Sequence, residues 1–168
     1  PDHKLVELNL HAPLSIDLER PTDVLQTAQT LATLAINNIP VNWLNGFLAE
    51  AELSAGTIAG DFEITSDAGA VKLDPRTAFG ASGVRFSAGF ELNDEVAILT
   101  EPHLLYRPNE VSGKVSALRV NLGDSQLMLL NADFNTPLGG ESSASTSANL
   151  DGQFDIDGLV ALPLVKEQ

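Results

Sequence analysis

Residues 39–65 read IPVNWLNGFLAEAELSAGTIAGDFEIT, and the hydrophobic period changes inside them. Pro40 suits a first helical position, where its missing N–H costs nothing. Val41, Leu44 and Leu48, with Trp43 and Phe47, recur at three- and four-residue steps and predict a short helix. After Leu53 the period becomes two. Ile58, Gly60, Phe62 and Ile64 share one face, and Ala59, Asp61, Glu63 and Thr65 the other. Gly56 and Gly60 mark the place where this strand bends or is approached closely by another backbone. A short apolar plug therefore leads into a strand with one greasy and one wet side.

The same alternation recurs on both sides of this stretch. Val6, Leu8, Leu10, Ala12, Leu14, Ile16 and Leu18 alternate with polar residues, which predicts one long strand over residues 1–20 that at Pro13 either lies at a sheet edge or breaks into two. Residues 22–50 read as a helical segment. A helix opening at Thr22 or Asp23 and running to about Ile36 would carry Val24, Leu25, Ala28, Leu31, Ala32, Ala35 and Ile36 on its apolar face. No charged residue occurs from Val24 through Ala49, so the polar side of that helix would meet something other than bulk water. Residues 53–134 read as antiparallel strands. Ser66 to Ala70 is a turn, Pro75 to Gly83 a loop, and Val84, Phe86, Ala88, Phe90 and Leu92 share one strand face. A strand from Val96 to Tyr106 is interrupted at Pro102. The next, from Val111 to Leu122, slips phase after Ala117 as a bulge requires. Residues 135–147 form a flexible, Gly/Ser/Thr-rich loop, and 148–168 a terminal strand with Ala148, Leu150, Gly152, Phe154 and Ile156 in phase. GTIAGDFEIT, GVRFSAGFEL and ANLDGQFDI echo one another, each with a glycine at or near an apolar–acid–apolar triplet. Together these signals predict a mainly β, α+β fold: an elongated, curled antiparallel sheet with one or two helices covering its apolar face.

Bulk properties exclude several function classes. The net charge is −14, from 9 basic and 23 acidic residues. Such a chain lacks the Lys and Arg that neutralise phosphates, so nucleic acid is not an expected partner, and anionic membrane surfaces gain no electrostatic hold on it. Without cysteine there is neither disulfide nor thiolate metal site. His3, His11 and His103 share no metal-ligand spacing, and Asn149 to Gly158 lacks the ligand order of an EF-hand loop. Asp61 and Glu63 point the same way on one strand, yet nothing marks a cleft that would tune them for acid–base work. No nucleophile elbow, phosphate loop or dinucleotide fingerprint occurs. The expectation is a protein that is not an enzyme and carries no cofactor or metal.

The order of plug, glycine-marked bend and half-wet strand in IPVNWLNGFL and LSAGTIAGDFEIT resembles the recurring unit of AsmA-like proteins, bacterial relatives of the bridge-like lipid-transfer proteins. That resemblance implies a curled sheet whose apolar groove shields phospholipid acyl chains between membranes, in the periplasm or cell envelope. It makes the chain a single domain or a segment of a larger, membrane-anchored protein, with the anchor outside this piece. The partners implied are a phospholipid or other acyl-chain ligand and the rest of that larger chain. The residues expected to line the groove are Ile58, Phe62, Ile64, Val84, Phe86, Phe90 and Leu92. The alternative is a structural or interaction β-domain, a sandwich or an adhesin-like subunit of an envelope or extracellular complex.

Overall fold

The computed structural model describes residues 4–11, 27–48, 52–87, 94–138 and 145–160. They form one antiparallel sheet of nine strands: β1 (Val6–Leu10), β2 (Gln29–Pro40), β3 (Glu52–Asp67), β4 (Ala70–Pro75), β5 (Phe79–Ser87), β6 (Val96–Arg107), β7 (Glu110–Leu122), β8 (Ser125–Pro137) and β9 (Ser147–Phe154). A mainly β, antiparallel architecture is what the alternation predicts. Two short helical pieces accompany it: a 3-10 helix, Val41–Phe47, packed against β3, and α1, Ile156–Val160, against β8.

The strands follow one another as a meander. β4 and β5 share one lane, because both pair antiparallel with β3 and with β6. Asp67↔Ala70 through Phe62↔Pro75 belongs to β4, and Ala59↔Gly80 through Glu52↔Ser87 to β5. Nine strands thus fill eight lanes, and every strand except β4 and β5, which share a lane, lies beside both its sequence neighbours or, at the ends, beside one. The turns are the tight ones that hairpins favour: Ala68 and Gly69 lie at φ 48° and 80°, and Gly123 at 53°. β3, at 16 residues, is about 50 Å long, which makes the sheet elongated.

Several sequence expectations need correction. Gln29 to Ile36, expected as helix, belongs to strand β2, while residues 22–26 lie outside the described residues. In this segment, Leu31, Ala32, Ala35 and Ile36 satisfy a helical period, and Ala32, Leu34 and Ile36 satisfy a strand period. β-Branched Thr30, Thr33, Ile36 and Ile39 favour the strand, and pairing with β1 on one side and β3 on the other decides it. The plug after Ile39 is a 3-10 helix, and Pro40 stands before it in extended conformation (φ −60°, ψ 128°) rather than as its first residue. The described part of the first strand is Val6–Leu10; Ala12 to Leu18 lie outside the described residues.

The loop expected over 75–83 shrinks to Arg76–Ala78, where both the Arg76 and Thr77 N–H groups donate to the Asp61 carbonyl oxygen. Nor does Pro102 interrupt β6. The Glu95 carbonyl accepts the Gly123 N–H, so the odd-numbered residues of β6 turn toward β7. The nitrogen of Pro102 accordingly faces the break between β4 and β5, where no ladder bond is lost. Strand β8 also runs on to Pro137, into the expected flexible loop, of which 139–144 lie outside the described residues.

The bulges do appear where the sequence places them. The β7–β8 register shifts between Val115 and Leu118, with Ala117 at φ 50° and its N–H donated to Asn131 Oδ1 at 3.0 Å. Gly56 sits at φ 113° within the second of two β3–β5 register shifts, the one between Ala55 and Thr57. A Cβ there would stand 2.8 Å from the Cα of Val84, so this corner needs glycine.

Candidate functional site: the apolar face of the sheet

Because side chains alternate along a strand and paired residues share a face, the register assigns every paired position to one side. On one side stand Val6, Leu8 and Leu10 of β1, opposite Ile36, Leu34 and Ala32 of β2. Leu34 continues to Phe62 and Pro75, and Ala32 to Ile64 and Leu73. Val71, Leu73, Phe79 and Ala81 lead on to Tyr106, Leu104, Thr100 and Ile98 of β6. β7 adds Val111, Val115, Val120 and Leu122, and β8 adds Met128, Leu130, Ala132 and Phe134. Leu150 and Phe154 of β9 close the series. The apolar face therefore runs without interruption across all eight lanes.

The other side is polar. Glu7, Glu63, Lys72, Asp74, Glu101, His103, Lys114, Arg119, Asp133 and Asp151 occupy it. Its groups bond across strands: Thr30 Oγ1 donates to Glu63 Oε1 at 3.1 Å, Asn149 Nδ2 to Asp133 Oδ2 at 2.9 Å, and His103 Nδ1 lies 2.7 Å from Asp74 Oδ1. Shallow depressions, one of about 410 Å³ around Lys72, His103, Lys114 and Asp133, lie mainly on this side. The chemistry here is that of a hydrated sheet surface. Among the described residues no group of three or more His, Asp and Glu is arranged to hold a metal ion.

Side-chain exposure varies across the apolar face. Ala32, Phe62 and Leu122 are buried, and the Phe62 ring lies 5.6 Å from that of Phe79 at 51°. The face then opens at β6, where Ile98 is 41%, Leu104 44% and Tyr106 46% exposed, and at both edges, where Leu8 is 57% and Leu150 72% exposed. Among the described residues eight large apolar side chains on strands are exposed: Val6, Leu8, Leu10, Ile98, Leu104, Tyr106, Leu150 and Phe154. All eight stand on the same side.

Glycines shape this face. Gly113 and Gly152 stand directly opposite Phe134 and Leu130, whose side chains occupy the place where a Cβ would be, and a Cβ on Gly60 would meet the Cα, Cβ and ring of Phe79 at 2.9–3.0 Å. This is the arrangement in which a cross-strand ring or branched chain covers a bare glycine. It gives two of the three sequence echoes a physical meaning, as Gly60 and Gly152 belong to them.

The seven expected groove residues distribute as follows. Ile58, Phe62 and Ile64 lie on the apolar face of β3. Val84, paired with Val96, and Phe86 continue it on β5 beyond the Ser82–Gly83 bulge. Phe62 and Val84 are each only 6% exposed and so form floor rather than contact surface, while Ile58, Ile64 and Phe86 are half-buried. Phe90 and Leu92 lie outside the described residues. Sequence reasoning did not assign the exposed members of β1, β6 and β9 to the site, although the same alternation marks them. Trp43 and Phe47 of the 3-10 helix, 61% and 87% exposed, add apolar surface at the end of the sheet where β2 passes to β3. No protein-family model, curated protein or solved structure matches this chain, so a functional reading rests on the sheet itself.

Proposed function

We propose that this chain is a non-enzymatic lipid-binding module whose apolar sheet face shields the acyl chains of a phospholipid from water. The observation that carries the reading is the one-sidedness of exposure: eight large apolar strand residues lie open, all on one face, with the charges on the other. Soluble monomers rarely leave contiguous apolar patches beyond a few hundred Å² without a partner for them. Hydrocarbon is an apt partner because the hydrophobic effect is non-directional, and each CH₂ transferred from water contributes about 0.8 kcal/mol. No catalytic side chain is required.

The resemblance of residues 39–65 to AsmA-like proteins supports the same reading. From it comes the proposal that the chain works in the periplasm or cell envelope, as part of a larger membrane-anchored protein. A structural or interaction β-domain is the competing function, favoured by β1 and β9, which among the described residues form the two edges of the sheet. Native mass spectrometry of protein purified without detergent decides between them. Phospholipid-sized adducts are expected, and a bare polypeptide mass after every lipid challenge would overturn the proposal.

A further inference from the structure

β9 is an edge that invites another strand. Among the described residues it pairs only with β8, over eight consecutive positions without a register shift. Edge strands are normally blunted by proline, lysine, bulges or shortness. SANLDGQF has none of these, and its one charge, Asp151, lies on the polar face. The backbone direction is fixed by the Asp155 N–H, which donates to the Leu127 carbonyl oxygen at 2.9 Å in step with the Met128↔Phe154 register. Odd-numbered residues of β9 thus turn toward β8, and Ala148, Leu150, Gly152 and Phe154 turn their N–H and C=O groups outward. The residues with open backbone groups are the same ones that carry the apolar face.

We propose that two copies of this chain join through β9, antiparallel, about a two-fold axis normal to the sheet at Leu150. In that register Leu150 faces Leu150 of the second copy, Ala148 faces Gly152, and Asn149 faces Asp151. Outward backbone groups meet as bonded pairs, with about six main-chain hydrogen bonds from these residues alone, and no like charges are opposed. An axis normal to the sheet keeps the two apolar faces on one side, so the face doubles in width. Pairing β9 with the β1 edge of another copy would also match direction, since the lanes are even in number. That contact would build an open chain rather than a closed dimer. The inference does not depend on lipid.

Sedimentation velocity of lipid-free protein over a wide concentration range tests it. The native chain is expected to be a concentration-dependent dimer. Leu150→Pro removes an outward N–H and leaves the bonds to β8 intact, so it is expected to give a monomer with an unchanged circular-dichroism spectrum. Leu150→Lys sets two ammonium groups against each other across the axis and is expected to give a monomer too, which decides the matter if the proline variant misfolds. A native chain that stays monomeric overturns the proposal. So does a ladder of higher oligomers, or a dimer that survives Leu150→Pro in its folded form, which would be a face-to-face contact.

Discussion

Leu104→Asp separates the role of the apolar face from the stability of the sheet. Leu104 is 44% exposed on β6, with Cδ2 3.0 Å from the place a Cβ would take on Gly113. Full burial of a leucine side chain stabilises by about 1.5–3 kcal/mol. Losing the roughly half that Leu104 realises should cost about 1 kcal/mol, and an aspartate there keeps its hydration. A bound acyl chain is a different matter. A leucine side chain covers about three or four CH₂ groups, so at ~0.8 kcal/mol each the seat loses about 2.5–3 kcal/mol, roughly a hundredfold in affinity. Fluorescence titration with a labelled phospholipid reads this loss, and urea denaturation reads the fold. Leu105→Asp is the internal control, because Leu105 pairs with Lys72 and Ser112 on the polar face of the same strand. It should leave binding within about twofold. Equal losses from Leu104→Asp and Leu105→Asp, or none from either, would refute the assignment of faces to roles.

Further substitutions examine the framework. Phe62→Ala empties a buried site and breaks the ring contact with Phe79, and should cost about 3–5 kcal/mol in chemical denaturation; a loss below about 1 kcal/mol contradicts the burial described. Ala117→Gly should stabilise by about 0.5–1 kcal/mol, since φ 50° is unfavourable for an L-residue and free for glycine. A lowered urea midpoint would speak against the bulge. Gly113→Val drives a side chain into the Phe134 ring and should cost about 1–3 kcal/mol, with new Phe134 chemical shifts as the local sign. Unchanged shifts there would mean that the ring does not lie over the glycine.

How far the sequence announces all this differs from element to element. Strand type and facing are legible wherever alternation is unopposed, as in Val6–Leu10, Ile58–Thr65 and Ala148–Phe154, because a period of two has a single structural meaning. The slip after Ala117 is legible for the same reason, since a bulge shifts the phase by one. β2 is not: the spacing of its Leu, Ala and Ile residues fits both periods, and cross-strand pairing to β1 and β3 selects one. Nor does the sequence say that β4 and β5 share a lane, or that Pro102 stands at their break, because register is a property of pairs of strands. The candidate site was half legible. Ile58, Phe62, Ile64, Val84 and Phe86 do lie on the apolar face. Which members of that face stay open depends on what covers each lane, and alternation carries no information about covering.

The most direct trial of the account is a photo-crosslinking map with a phospholipid whose acyl chain carries a diazirine. Label is predicted on the open apolar side chains, Ile98, Leu104, Tyr106 and Leu150 among them, and not on their polar-face neighbours Leu105, Asn149 and Asp151. Label spread equally over both faces, or gathered only on the exposed turn around Trp43 and Phe47, would contradict it.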